Sequence, residues 1–449
     1  MKISNLIQKN TERASFGQMF WIMMAVFYSL FVVRNVLSVE FPVSIYLVWV
    51  ALMAFVFDDT EIKALIISFM PLVPGFQSKY AVLICMIVLI IKYFKQLRIP
   101  PFIFCVILLM FWEFLHLNEG YATTAEYLSG FAPLMCLAVV VSLPDKHEDI
   151  SVFSRVLAVS LAVGSLILIA NTVLGSHQSL MSLVQSGFRL GEVEEALNYQ
   201  ITYNANGLGF LCNMTVVGLL SNIYFKRSKK IDYFLMIFAI VIGCLTVSRT
   251  FLLCLAGTIA LYILLQNKAP SYKIRLFITI LLLIGIALLV LKLVAPDIID
   301  NYVMRFSADD ITGGRAYLSD FYNDFIISTP KNFLYGIGIQ NINTKIMALK
   351  GVDVNVPHNG YQQMLVAWGI VGLLLMLVFI FCLVLYARKK NPRVPLMCYL
   401  PLVLLLINIL AGQFVTSGTK LLSLVYIFLM ISNGGKDTIQ DIDGTEKHQ

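Results

Sequence analysis

The sequence predicts an all-α integral membrane protein of about 12–14 transmembrane helices, with one long external loop that carries short helices. Three observations carry this. Hydrophobic residues are 59% of the 449 and charged residues only 13%, with a mean hydropathy of +0.82. A soluble domain carries about 25% charged residues, so this chain has more apolar surface than a water-soluble core can hide. The apolar stretches recur at lengths near the roughly 20 residues that cross a bilayer. From about Pro296 to Gly360 that pattern stops. Most connections run about 4–6 residues, so a loop this long is expected to carry function.

The elements follow in order. Met1–Gly17 is polar, with Lys2, Lys9 and Arg13, and the apolar stretch behind it lacks a small-residue cleavage site. It reads as a retained first helix, not a signal peptide. Apolar windows then fall at 18–37, 41–57, 61–76, 79–94, 100–117, 125–143, 152–174, 205–225, 231–247, 249–267, 273–294, 361–387, 394–411 and 415–432. Pro71, Pro74 and Gly75 interrupt the third, which reads as re-entrant or broken. The windows on either side of Ser248-Arg249 nearly touch.

Lysine and arginine asymmetry sets the orientation. With the N-terminus inside, about 22 of the basic residues fall on the cytoplasmic side and about 11 outside. The dense clusters Lys92/Lys95/Arg98, Lys226/Arg227/Lys229/Lys230, Lys268/Lys273/Arg275 and Arg388/Lys389/Lys390/Arg393 all fall inside. The loop 296–360, the medium loop 175–204 and the Ser248-Arg249 junction then face out, and the polar C-terminal tail is cytoplasmic. The net charge of +7 reports topology. No basic patch with interleaved aromatics suggests a nucleic acid partner. The eight cysteines lie in apolar segments without a CxxC, so they read as small buried hydrophobes. Asp58-Asp59 and Asp309-Asp310 read as simple acidic pairs, and no metal site or cofactor is expected.

Three residues could carry chemistry. Arg249 stands between two apolar runs. It reads either as an arginine snorkelling to the headgroups or as an anion-binding arginine facing an external cavity. Arg315 follows Gly313-Gly314 and opens a predicted helix to about Ser328, with Tyr317, Phe321 and Phe325 at spacings of four. That amphipathic pattern suits a helix on the outer interface, with backbone N–H groups at its start favouring an anion beside Arg315. The alternative is a solvated loop arginine. His358, between Pro357 and Asn359-Gly360, stands at the mouth of a span, as a proton acceptor or as a structural histidine. Gly336 and Gly338 form a Gly-rich turn that alone is weak as a phosphate site. Trp112, Glu113, His116, Glu119 and Glu126 place acids near the outer end of the fifth span, as sugar or proton contacts or as a solvated edge.

The order of these motifs resembles the O-antigen polymerase and O-antigen ligase superfamily. It runs from Asn-Xaa-Asn-Gly-Leu-Gly (Asn204–Gly209) through Ser-Arg-Thr and a long external loop opening with Gly-Arg. It then continues through Gly-Xaa-Gly and His-Asn-Xaa-Tyr to Trp-Gly-Ile-Val-Gly (Trp368–Gly372). The resemblance covers about residues 200–385. It divides the chain into N-terminal transmembrane helices (1–200), a catalytic core (201–432) that includes the loop 296–360, and a cytoplasmic tail (433–449). It implies a bacterial inner or plasma membrane glycosyltransferase that uses undecaprenyl-pyrophosphate-linked glycans in a metal-independent, inverting transfer. Arg249 and Arg315 would bind the pyrophosphate. His358 would orient or deprotonate the attacking hydroxyl, helped by Asn359 and Tyr361. Gly314, Tyr317, Gly336, Gly338 and Asn206 complete the implied substrate contacts. A chain-length regulator and a repeat-unit flippase are the implied protein partners. The aromatic residue after Gly-Arg is Tyr317, where relatives often carry a tryptophan slightly further along.

The reaction expected is polymerisation of lipid-linked repeat units of O-antigen, capsule or exopolysaccharide. The competing reading is a ligase that transfers the finished glycan to lipid A core, wall polymer or protein. A reading from another class is a transporter or flippase for lipid-linked sugars, which predicts charges along the middle of the bundle and internal pseudo-symmetry.

Overall fold

The structure is a computed structural model. It describes residues 17–72, 78–116, 124–146, 148–185, 189–191, 203–294, 296–307, 315–339, 341–342 and 357–435. Among these, all regular structure is helical. Every apolar window of the sequence contains a helix. In order they are α1 (Gln18–Asn35), α2 (Ser44–Val56), α3 (Asp59–Leu72), α4 (Ser78–Tyr93), α5 (Phe104–Phe114), α6 (Thr124–Ser142) and α7 (Ile150–Ser176). The short α8 (Leu180–Gln185) precedes α9 (Ala205–Tyr224), α10 (Lys230–Leu245), α11 (Arg249–Leu265) and α12 (Pro270–Val294). The long loop holds α13 (Pro296–Ser307), α14 (Arg315–Ile327) and α15 (Pro330–Tyr335). The bundle closes with α16 (Gly360–Lys390), α17 (Leu400–Leu410) and α18 (Gly418–Asn433).

Five of these, α1, α7, α9, α12 and α16, are long and apolar enough to cross a membrane by length and composition. Helices α9 and α18 are buried almost all round, and both pack on α7. Close approach there depends on Gly218, where a Cβ would stand 2.2 Å from the Tyr426 hydroxyl. That hydroxyl in turn hydrogen-bonds the Ser154 hydroxyl at 2.9 Å. Helix α12 instead exposes leucines and isoleucines around its circumference, as a lipid-facing helix does. In the third window, α3 carries Pro71 in its last turn, and Pro74 and Gly75 lie outside the described residues.

The end of the bundle opposite the long loop is closed by charge. Lys63 is buried and bonds Glu148 at 2.6 Å and Asp59 at 3.3 Å. Asp59 also accepts from Lys146, and Glu148 accepts from Asn433 at the end of α18. Asp59 is therefore not the simple acidic site that its sequence neighbourhood suggests. Arg155 grips Asp232 through Nε (2.8 Å) and Nη2 (3.0 Å), and Arg227 reaches Asp149 at 3.0 Å. Buried charges with several partners of opposite sign tie α3, α7, α10 and α18 together at this end.

Candidate functional site

The first half of the site is the turn between α10 and α11. Ser248 is the N-cap of α11: its Oγ accepts from the Phe251 N–H at 3.4 Å. The same hydroxyl donates to Oδ1 of Asn206 at 2.9 Å. Asn206 lies in the first turn of α9, which Asn204 caps by accepting from the Asn206 N–H at 3.0 Å. Gly209, one turn on, lets α9 approach, since a Cβ there would stand 3.0 Å from Phe251 and 3.6 Å from Ser248. The Asn-Xaa-Asn-Gly-Leu-Gly stretch is thus built to seat Ser248. Arg249, the first residue of α11, is held half-buried beside it.

The second half is the start of α16. Asn359 is its N-cap, with Oδ1 accepting from the N–H groups of Tyr361 (3.0 Å) and Gln362 (3.4 Å). His358, half-buried, stands immediately before the cap. Gln362 donates to Ser319 O (2.7 Å) and Asn323 Oδ1 (2.9 Å) on α14. Helix α14 therefore docks on the start of α16, with Tyr322, Phe325 and Ile326 buried. Sequence spacing places Phe321 and Phe325 on the apolar face but misses the burial of Tyr322. Burial pushes the Tyr322 hydroxyl up to about 12, so it stays neutral at physiological pH. The first residue of α14 is Arg315, one turn before Ser319, so its backbone begins near the His358 end of α16. The side chains of Arg315 and Tyr317, and all of Gly314, lie outside the described residues.

The 411–417 turn packs on the head of α16. Gln363, buried beside Gln362, accepts from the N–H groups of Phe414 (2.8 Å) and Val415 (2.9 Å) and donates to Thr416 Oγ1 (3.0 Å). Just beyond, Lys420 donates to Asn408 O at 2.8 Å and lies over the Phe210 ring, next to Gly209.

Gly336 and Gly338 pack on α16. Both have positive φ (+72° and +83°), and their turn inserts against a break in α16 at Gly369 (φ +65°). Ile337 N donates to Val366 O (3.0 Å) and Gly338 N to Ala367 O (2.7 Å). A Cβ at Gly336 would stand 2.5 Å from Ala367, and one at Gly369 2.3 Å from Leu334 O, so side chains do not fit between the two backbones. These contacts lie about 10 Å along α16 from Gly360, seven residues at 1.5 Å each. The structure gives both glycines a packing role against α16.

Glu113 anchors this junction. It is fully buried, not a solvated edge, and accepts from Trp368 Nε1 at 2.7 Å and from Ile339 N at 2.9 Å. Trp112 adds donation to Trp368 O (3.1 Å) and stacks on Tyr335. His116 packs against Gly338. Glu119 lies outside the described residues, as does the side chain of Glu126. Among the described residues no group of three or more His, Cys, Asp or Glu is placed to hold a metal ion.

Sequence reasoning missed Arg189, Gln362 and Gln363. Two adjacent amides at the head of an apolar helix are a readable signal for the glutamines. Arg189, half-buried, donates from Nε to Thr246 O at 2.8 Å, three residues before Arg249.

A helical membrane protein with a long polar loop docked on its bundle, and polar side chains gathered at the heads of α9, α11 and α16, defines the class. Within it, residues 234–377 match the O-antigen ligase family (Wzy_C), a match that supports the likeness of this part of the chain to the O-antigen polymerase and ligase superfamily. The matched stretch runs from α10 into α16. It contains Arg249, Arg315 and His358 and leaves out Asn206 and Arg189. No curated protein matches the chain.

Proposed function

We propose that the chain is a glycosyltransferase of the bacterial inner or plasma membrane that polymerises undecaprenyl-pyrophosphate-linked repeat units at the outer face. The observation that carries this is the arrangement within the family match. A half-buried arginine is fixed by a capped turn at one helix head, and a histidine stands at the head of a second helix on which the Arg315 helix docks.

Arg249 and Arg315 bind the pyrophosphate. A guanidinium stays charged and offers forked donors, so two of them offset the charge that builds on the leaving pyrophosphate. They perform the charge neutralisation that a divalent cation performs in other transfers, and the reaction proceeds without one. His358 accepts the proton of the attacking sugar hydroxyl. The hydroxyl oxygen bonds to the anomeric carbon from the face opposite the pyrophosphate, which leaves with its electron pair, so configuration inverts. Asn359 and Tyr361 line the acceptor side. Residues 201–432 act as the catalytic core.

The charge-closed end opposite the loop favours an enzyme worked from one side over a transporter, which must open both ends in turn. Incubation of the reconstituted protein with one defined lipid-linked repeat unit tests the reading. A ladder of products supports a polymerase. Product only after a second acceptor is added supports the ligase, and translocation of intact lipid-linked sugar without transfer supports the transporter.

A further inference from the structure

We propose that Arg189 is a positioning residue for Arg249, acting through the backbone of the turn that carries it. The inference rests on the reading of Arg249 as the pyrophosphate-binding arginine. Two residues before Arg249, Val247 adopts φ +46°. The left-handed region is disfavoured for any L-residue and most of all for a β-branched one. Such a conformation persists only where the surroundings over-determine it.

Those surroundings come from two sides. From α10, Gly243 O accepts from Thr246 N (3.2 Å) and Thr246 Oγ1 (2.6 Å), and Cys244 O accepts from Val247 N (3.0 Å). From the other side, Leu190 N donates to Leu245 O at 2.9 Å and Arg189 Nε donates to Thr246 O at 2.8 Å. Gly191, at φ +89°, lets this 189–191 segment lie against the start of α9, since a Cβ there would stand 2.9 Å from Ala205. The segment is wedged between the turn and α9. The carbonyl that Arg189 holds belongs to the peptide unit entering Val247, so its direction sets φ at Val247 and the path of Ser248 and Arg249. The charged donor makes this bond stronger than a neutral one would. Without it, the carbonyl side of this peptide loses its charged donor while the N–H side keeps its bond to Cys244 O, so the hold on φ at Val247 weakens, which shifts Arg249 off its position and Ser248 off Asn206.

The test is a cycle of R189A, V247G and the double variant in reconstituted protein, with rates taken per folded molecule on a defined lipid-linked repeat unit. Glycine adopts left-handed φ without penalty. A purely positional role therefore predicts that V247G stays near wild-type and that R189A loses about 10- to 100-fold in kcat with little change in KM. The double variant should recover most of that loss. A double variant as slow as R189A would mean that Arg189 acts on the substrate directly, which overturns the proposal. So would a wild-type rate in R189A, or a slow V247G.

Hydrogen exchange at Val247 N–H reads the turn without activity. R189A should lose protection there, and unchanged protection overturns the proposal whatever the rates. This readout also separates it from the functional reading, which fails if wild-type protein transfers no glycan. If R189A does not fold, R189M keeps the aliphatic stem without the donor and enters the same cycle.

Discussion

Ser248 Oγ donates to Asn206 Oδ1 at 2.9 Å while accepting from Phe251 N, so one hydroxyl both caps α11 and ties it to the head of α9. Residues 42 apart in sequence thereby fix the backbone of Arg249. Replacing Ser248 with Ala should cost about 1 kcal/mol of stability from the lost cap. If Arg249 is the pyrophosphate ligand, transfer should fall by about tenfold or more as its placement loosens. N206A should lower the rate with a smaller loss of stability, since the cap of α11 survives. Thermal melting and initial rates on the same preparations separate the two effects.

Glu113 accepts from two N–H donors that come from different elements, Trp368 on α16 and Ile339 in the loop. In E113Q the amide nitrogen replaces one acceptor and faces a donor. That should cost about 1–3 kcal/mol and release residues 335–339 from α16. Limited proteolysis of the long loop should quicken in E113Q and more in E113A.

Gly369 breaks α16 where the backbone of Leu334 and Tyr335 lies against it. G369A places a methyl 2.3 Å from Leu334 O at a left-handed φ. Loop docking and folded yield should both fall, by more than the roughly 1–2 kcal/mol that a left-handed φ alone costs an alanine. A control at Gly207, where a Cβ meets nothing within 4 Å, should fold normally.

Lys63 is buried among Asp59, Glu148 and their partners. K63M leaves two buried carboxylates without their central cation and should destabilise by about 3–5 kcal/mol. Thermal melting in detergent checks this. Transfer per folded molecule should stay near wild-type, because the cluster lies at the end away from the loop.

The helices were legible because hydropathy and helical spacing are local. Arg315 opens its helix where the four-residue spacing predicts. The site's supports were not, because they depend on pairings made only in three dimensions. Glu113 lies 226 residues from Ile339, and nothing beside it in sequence marks it as buried. Gly336 and Gly338 look like a ligand turn in sequence. Only the position of Gly369 on α16 reveals what they pack against. Arg189 is one basic residue in a polar loop until its bond to Thr246 is seen.

The central claim is that Arg249, Arg315 and His358 act on one lipid-linked substrate. The direct measurement is the initial rate of transfer by R249A, R315A and H358A on a single defined polyprenyl-pyrophosphate-linked repeat unit, in matched amounts of folded, reconstituted protein. Each arginine variant should lose about 10²- to 10³-fold, the loss seen when one donor to a developing charge is removed. H358A should lose at least about 10²-fold, as for loss of a general base. The triple variant should be little worse than the poorest single one, as residues acting as a unit are. Wild-type rates in any two of the three single variants would contradict the account.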